Sequence, residues 1–274
     1  MTTTDLRSTR LAVLGAGNMG TAIILGALRA GVMPQNIAFT TLDDGAAETL
    51  TNQCQLERKG SNAKAVNNAD VVVVAVKPND VPDVLTEISP AIAPDAIVVS
   101  VAVGINLGTL LLNLPAKQPA IRAMPNTPAA VGKGVTALSP NSATSPKQLQ
   151  LVEQIFKGAG TVVVVPENYQ TAVGAISGSG PAFVAYFLDG LIEAAVHQGL
   201  PRALATELAI DTVAGTAAML AETGEHPAIA RERVTSPGGT TAAGLAELED
   251  AGVRGAIMRA VAASVRRTNE IQRG

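Results

Sequence analysis

The chain has 274 residues, enough for about two domains with cores that need no covalent support; its one cysteine, Cys54, excludes an internal disulfide and fits a reducing compartment. Hydrophobic residues make up 47% of the chain but aromatics only 2%, so its interiors have to be built from Ala, Val, Leu and Ile, and a disordered chain is excluded. The net charge is −3, with 20 basic residues scattered along the chain, which leaves no electrostatic footprint for nucleic acid.

The start, Met1 to Arg10, is polar and lacks the apolar region of a signal peptide. Wholly apolar runs such as Val71 to Val76 fall far short of the roughly 18 residues that suggest a membrane-spanning helix. A soluble cytoplasmic protein without membrane or nucleic-acid partners is expected.

From Leu11 the pattern alternates strand, turn and helix, the rhythm of a parallel sheet wrapped by helices. Strands are expected near Leu11 to Gly15, Ile37 to Thr40, Val71 to Val76, Ala96 to Val101, Ala120 to Met124, Gly134 to Leu138 and Thr161 to Val165. Four of them are dense in Val or Ile with little alternation, as strands covered on both faces should be. Helices are expected over Met19 to Ala30, Ala46 to Gln53, Val81 to Ile88 and Pro146 to Lys157.

Gly15-Ala16-Gly17-Asn18-Met19-Gly20 follows the first strand and opens the first helix. In this spacing Gly15 allows the tight turn, Gly17 lets backbone approach a pyrophosphate, and Gly20 lets helix pack on strand. The helix N-terminus then offers N–H groups and partial positive charge to the phosphates. Residues 1–167 are therefore expected to form a Rossmann-type NAD(P)-binding domain.

The cofactor form stays open. After the second strand the chain reads Phe39-Thr40-Thr41-Leu42-Asp43-Asp44: two hydroxyls suit a 2′-phosphate, no Arg is at hand, and two acids lie one step late for a ribose 2′-OH. At the end of the third long strand, Val76-Lys77-Pro78 either reaches the cofactor through Lys77 or simply ends the strand. Ala123 to Pro128, with two prolines and Asn126, reads as a rigid loop.

After Glu167 the strand signal disappears. Ala182 to Gln198 carries apolar residues at Val184, Phe187, Leu188, Leu191, Ile192 and Ala195, the stripe of a helix with one buried face. Further helices are expected from Pro201 to Glu222, Pro227 to Arg233, Thr241 to Glu249 and Val253 to Ile271, making 168–274 an all-helical substrate and dimerisation domain. Its many alanines allow close approach, and its stripes are expected to bury against a second copy of the chain.

Two glycine clusters punctuate this region. Ser177-Gly178-Ser179-Gly180-Pro181 reads as a helix start that another segment can approach closely. Thr235-Ser236-Pro237-Gly238-Gly239-Thr240-Thr241 can turn successive backbone N–H groups toward one point, an anion nest without a charged side chain. A small carboxylate that needs one further hydrogen bond suits it. No Lys occurs after Lys157, and neither His197, in a last helical turn, nor His226, before a proline, is expected to be catalytic. No metal site is expected.

Together these residues resemble the Δ1-pyrroline-5-carboxylate reductases. The resemblance runs from Leu11 to Ile271 and is carried by Gly15 to Gly20, Ala75-Val76-Lys77-Pro78, Arg122 to Pro128, Ser177 to Phe183 and Val234 to Leu245, which reads VTSPGGTTAAGL. It implies reduction of the cyclic imine of pyrroline-5-carboxylate to L-proline by NADPH or NADH. It also implies a helical domain similar to the C-terminal domain of 6-phosphogluconate dehydrogenase. Thr41, Asn62, Ala75, Val76, Lys77, Pro78 and Ala102 would join the glycine turn in holding NADP(H) or NAD(H). Glu167, Ser236, Gly238, Gly239, Thr240 and Thr241 would hold the substrate, with the Thr241 hydroxyl on the ring nitrogen. The family assembles as homodimers through its helical domain, and commonly further into decamers. A β-hydroxyacid dehydrogenase shares the layout but typically uses a Lys in the second domain. A non-catalytic dinucleotide sensor would not need the Pro-Gly-Gly-Thr-Thr loop.

Overall fold

A computed structural model describes residues 5–273 of the chain. Two compact units emerge: the larger runs through Gly178 and takes in the chain again from Val265, and the smaller is Ser179–Ser264.

The larger unit is one sheet with helices on both faces. Its strands are β1 (Leu11–Leu14), β2 (Ile37–Thr40), β3 (Glu57–Arg58), β4 (Val71–Val74), β5 (Ile97–Ser100), β6 (Ala120–Met124), β7 (Gly134–Pro140) and β8 (Gly160–Val164), in the order β3-β2-β1-β4-β5-β6-β7-β8. The helices are α1 (Asn18–Ala30), α2 (Asp44–Cys54), α3 (Asn62–Val66), α4 (Val81–Ile88), α5 (Leu107–Leu112), α6 (Pro146–Lys157) and α7 (Gln170–Val173). All seven expected strands form. The two-residue β3 at the edge, polar on both residues, and the short α3 and α5 carry no periodicity that a sequence reading could use.

One pairing departs from the parallel pattern. β7 runs antiparallel to β6, with Ile121 opposite Pro140 and Met124 opposite Ala137. Only a short 3-10 turn, Thr127–Val131, lies between them. A parallel return needs a crossover of a dozen or more residues, which this connection cannot provide.

The valine-rich strands bury both faces. Leu11, Val13, Val71, Val73, Ile97 and Val99 belong to a cluster closed by Ile23, Phe39 and Phe156. Ala12, Leu14, Val72, Val74 and Val98 face the other way, onto Val81, Leu85, Ile88 and Leu110. Period-two alternation in direction, with apolar residues at every position, is what a sheet covered on both sides requires.

The smaller unit holds α8 (Gly180–His197), α9 (Arg202–Thr223), α10 (Pro227–Arg233), α11 (Thr240–Asp250) and the first part of α12 (Val253–Arg273). Helices α8 and α9 pack on each other, joined through Gly199 at φ +95 and tied by an Arg202–Glu193 ion pair. The glycine cluster at Ser177 does not open a fresh helix. A π-helical turn, Gly174–Gly178, follows α7 directly, and Ser179 keeps right-handed helical backbone into α8. The expected close approach at its glycines is by Met124, whose Cε lies 2.9 Å from where a Gly178 Cβ would stand.

The apolar stripe of α8 stays open within the chain: Val184, Phe187 and Leu191 are exposed, and no residue of α8 or α11 is fully buried. Two helical stretches, Glu167–His197 and Arg202–Thr223, are long and apolar enough by composition to cross a membrane, each with mean hydropathy 1.3. Neither shows a long unbroken apolar run, because their Ala, Val, Leu and Ile are interrupted by small polar residues and Gly, with few charges.

Candidate functional site

Four neighbouring parallel strands bring the expected nucleotide residues to one edge of the sheet. Leu14 pairs with Thr40 on one side and Val74 on the other, and Val74 pairs with Ser100. The residues just beyond, Gly15, Thr41, Ala75 to Pro78 and Ala102, therefore share the carboxyl end of β2-β1-β4-β5. That is where chain order reverses direction around β1, the crevice in which open α/β sheets take ligands.

The glycine turn is shaped by three different constraints. Gly15 sits at φ +88, and a Cβ there would stand 2.8 Å from Val76 Cγ1. A Cβ on Gly20 would fall on the carbonyl oxygen of Gly15, so α1 can lie this close to β1 only with glycine. Gly17 caps α1 with no side-chain bond, and an added Cβ would meet nothing within 4 Å, so the space before the helix end is clear. The N–H groups of Gly15 and Ala16 are committed to the Thr40 carbonyl at 3.0 and 2.8 Å, which holds the turn against β2. The first-turn N–H groups of Asn18, Met19 and Gly20 face outward from the helix end without intrahelical acceptors. This arrangement fits a dinucleotide pyrophosphate.

Around it the structure adds partners that sequence reading missed. Asn62 is gripped from two sides: its Oδ1 accepts from Thr40 Oγ1 at 2.7 Å, and its Nδ2 donates to Glu87 Oε2 at 2.7 Å. Glu87 Oε1 also accepts from the Asn62 N–H, fixing the start of α3. An Arg is at hand after all: Arg58, on β3, donates to the Thr41 carbonyl at 2.9 Å and pairs with Asp44 at 2.8 Å. Its distance along the chain hid it, and parallel pairing of Phe39 with Arg58 brings it there. Lys77 is exposed at the start of a 3-10 turn.

Farther along the sheet, Glu167 Oε1 accepts from the Leu107 N–H at 2.7 Å and from Arg122 Nη1 at 3.4 Å. Arg122 is buried, so this pair ties β6 to the start of α5. Asn126 is a structural pin, donating to the Ser177 carbonyl and accepting from the Val135 N–H.

In the smaller unit, Gly238 has φ +68, and a Cβ on Gly239 would fall on Ser236 Oγ. The Gly239 N–H closes the turn on the Ser236 carbonyl at 3.0 Å, and Gly239 caps α11 with no side-chain bond. Thr240 and Thr241 form the first turn of that helix and are exposed, as are Ser236 and Gly238. Since Pro237 has no N–H and that of Gly239 is used in the turn, the main-chain donors of the loop are Ser236, Gly238, Thr240 and Thr241. His226 accepts from the Ala228 N–H as the cap of α10, a structural task. Among the described residues no group of three or more His, Cys, Asp or Glu could hold a metal.

Comparison with known proteins gives one answer. Residues 167–271 match the family described as pyrroline-5-carboxylate reductase dimerisation, and residues 10–104 match the NADP oxidoreductase, coenzyme F420-dependent family. A pyrroline-5-carboxylate reductase of Synechocystis is 41% identical over 96% of this chain and 98% of its own. Among solved structures, a pyrroline-5-carboxylate reductase from Coxiella burnetii superposes with TM-score 0.91 at 33% identity, covering 96% of this chain and 98% of that one. A pyrroline carboxylate reductase of Plasmodium falciparum with NADP bound gives 0.88 at 28% identity, covering 97% and 99%. Nearly every residue, from the glycine turn to the last helix, takes part in these matches, and the chain belongs to the pyrroline-5-carboxylate reductase family.

Proposed function

We propose that this chain reduces the C=N bond of L-1-pyrroline-5-carboxylate to L-proline, the final step of proline biosynthesis, with NADP(H) as cofactor and NAD(H) as the alternative. The observation that carries this reading is the Ser236–Thr241 turn at the head of α11, with its conformation fixed by two glycines and its hydroxyls exposed. The glycine turn of Gly15, Ala16, Gly17, Asn18, Met19 and Gly20 holds the pyrophosphate, with Thr41, Asn62, Ala75 to Pro78 and Ala102 around the rest of the dinucleotide. When bound, the reduced cofactor supplies a hydride.

The chain's own residues have little else to do, because a protonated imine is already electrophilic. The main-chain N–H groups of the Ser236 to Thr241 turn hold the carboxylate, and the Thr241 hydroxyl orients the ring nitrogen and supports the developing amine. Glu167, anchored through Arg122 and the Leu107 N–H, stays in the reading as a substrate-side carboxylate. Positioning of this kind can supply a large part of a rate enhancement. Purified protein given NADPH and pyrroline-5-carboxylate should lose nicotinamide absorbance and form proline. Thr241→Ala should lower kcat/KM about 10- to 100-fold, the loss of one hydrogen bond to a charged centre, with NADPH affinity unchanged and Thr241→Ser restoring activity. Full kcat/KM in Thr241→Ala would refute the role.

We also infer a cytoplasmic homodimer through the C-terminal helices, with further assembly such as a decamer built on it. The open stripe of α8 and the match of residues 167–271 to a dimerisation region support this over a membrane reading of the same apolar helices. A single 27.8 kDa particle in sedimentation, or a need for detergent to stay in solution, would overturn it.

A further inference from the structure

We propose that Arg58 is the residue by which this chain selects a dinucleotide carrying a phosphate on its adenosine ribose. The end of β2 is where such a fold meets that ribose, and the local sequence is divided there: Thr40 and Thr41 suit a phosphate, whereas Asp43 and Asp44 would repel it. The structure weakens both objections. Asp43 is spent as the cap of α2, accepting from the Ala46 N–H at 3.0 Å. Asp44 is neutralised by Arg58 Nη1 at 2.8 Å, while Arg58 Nη2 stays on the Thr41 carbonyl at 2.9 Å.

The two bonds differ in permanence. The side chains of Arg58 and Asp44 are 42% and 88% exposed, so their ion pair is weak and readily exchanged. The main-chain bond keeps the guanidinium at the strand end when Asp44 swings away. Of five N–H donors, three are then free besides the one released by Asp44, enough for a bidentate grip on a phosphate. Arg58 thus acts on the cofactor through its 2′-phosphate alone, and NADH has nothing for it to hold.

The inference rests on dinucleotide binding at the glycine turn, and its test reads binding rather than turnover. The full chain is titrated with NADPH and NADH by nicotinamide fluorescence, and with 2′,5′-ADP and 5′-AMP as competitors. Arg58→Gln should raise the Kd for NADPH about 10- to 100-fold and abolish the preference for 2′,5′-ADP over 5′-AMP, with the Kd for NADH within about twofold of wild type. Arg58→Lys, which keeps the charge but loses the fork, should fall between them. Asp44→Asn should tighten NADPH and leave NADH alone. Equal weakening of both cofactors in Arg58→Gln and Arg58→Lys, or unchanged NADPH affinity in both, overturns the assignment. Failure of the wild-type chain to bind either cofactor would instead bring down the glycine-turn reading, and this one with it.

Discussion

The two units are made from similar residues and solve burial in opposite ways. In the α/β unit each central strand sends apolar side chains to both faces, and helices on either side complete two clusters without outside help. In the helical unit α9 buries only Ala205 and Ala209, and α8 buries nothing fully, while Tyr186, Phe187, Leu208, Ile210 and Met258 lie exposed. A sheet can satisfy its apolar faces with the helices that its own connections supply. Here α8 and α9 pack on each other but leave much of their apolar surface open, and that surface needs a further one to cover it. The first unit therefore carries its stability inside the chain, and the second holds much of its own in reserve for association.

The contrast can be broken at its strongest point by Phe156→Ala, which empties a fully buried site in the larger unit. It should cost about 3–5 kcal/mol in urea unfolding, whatever the protein concentration. The matching change in the smaller unit is Phe187→Asp. Secondary structure should survive, but association should weaken by about 2 kcal/mol or more, seen as a shift toward 27.8 kDa particles on dilution. If Phe187→Asp unfolded the chain at all concentrations, the distinction would fail. Gly20→Ala presses a methyl group against the Gly15 carbonyl and should cost about 1–3 kcal/mol, with NADPH binding weakened in the same titration and oligomeric state unchanged.

The smallest effect is expected at the α8–α9 hairpin. Arg202, hydrogen-bonded to Glu193 and attracting its charge, holds that carboxyl below the ordinary carboxylate range. A depressed folded-state pKa adds stability above the unfolded carboxylate value and loses it as pH falls through the folded one. The pair is exposed to solvent, so Glu193→Gln should change Tm by about 1 °C or less at neutral pH, and by nothing measurable in acid.

The geometry of the glycine turn and of the strand ends beside it was largely legible because it is local. Gly15, Gly17 and Gly20 act within one turn, and the ends of β1, β2, β4 and β5 announce themselves by apolar runs that stop. Arg58 and Glu87 were not legible, since each reaches its partner across the sheet or from a later helix, and nothing in spacing marks a residue that serves Thr41 or Asn62 from a distance. The same limit hid Arg122 behind Glu167, and the antiparallel turn of β7.

Amino-acid order alone determined the alternation of strand and helix, the glycine turn, the Pro-Gly-Gly-Thr-Thr loop and the family, because propensity, periodicity and φ constraints act over a few residues. Tertiary structure decided which charges meet, which carboxylates are spent as caps, and which apolar faces stay open. Those outcomes depend on strand order and helix packing, where residues tens of positions apart become neighbours and burial is settled by the whole unit at once.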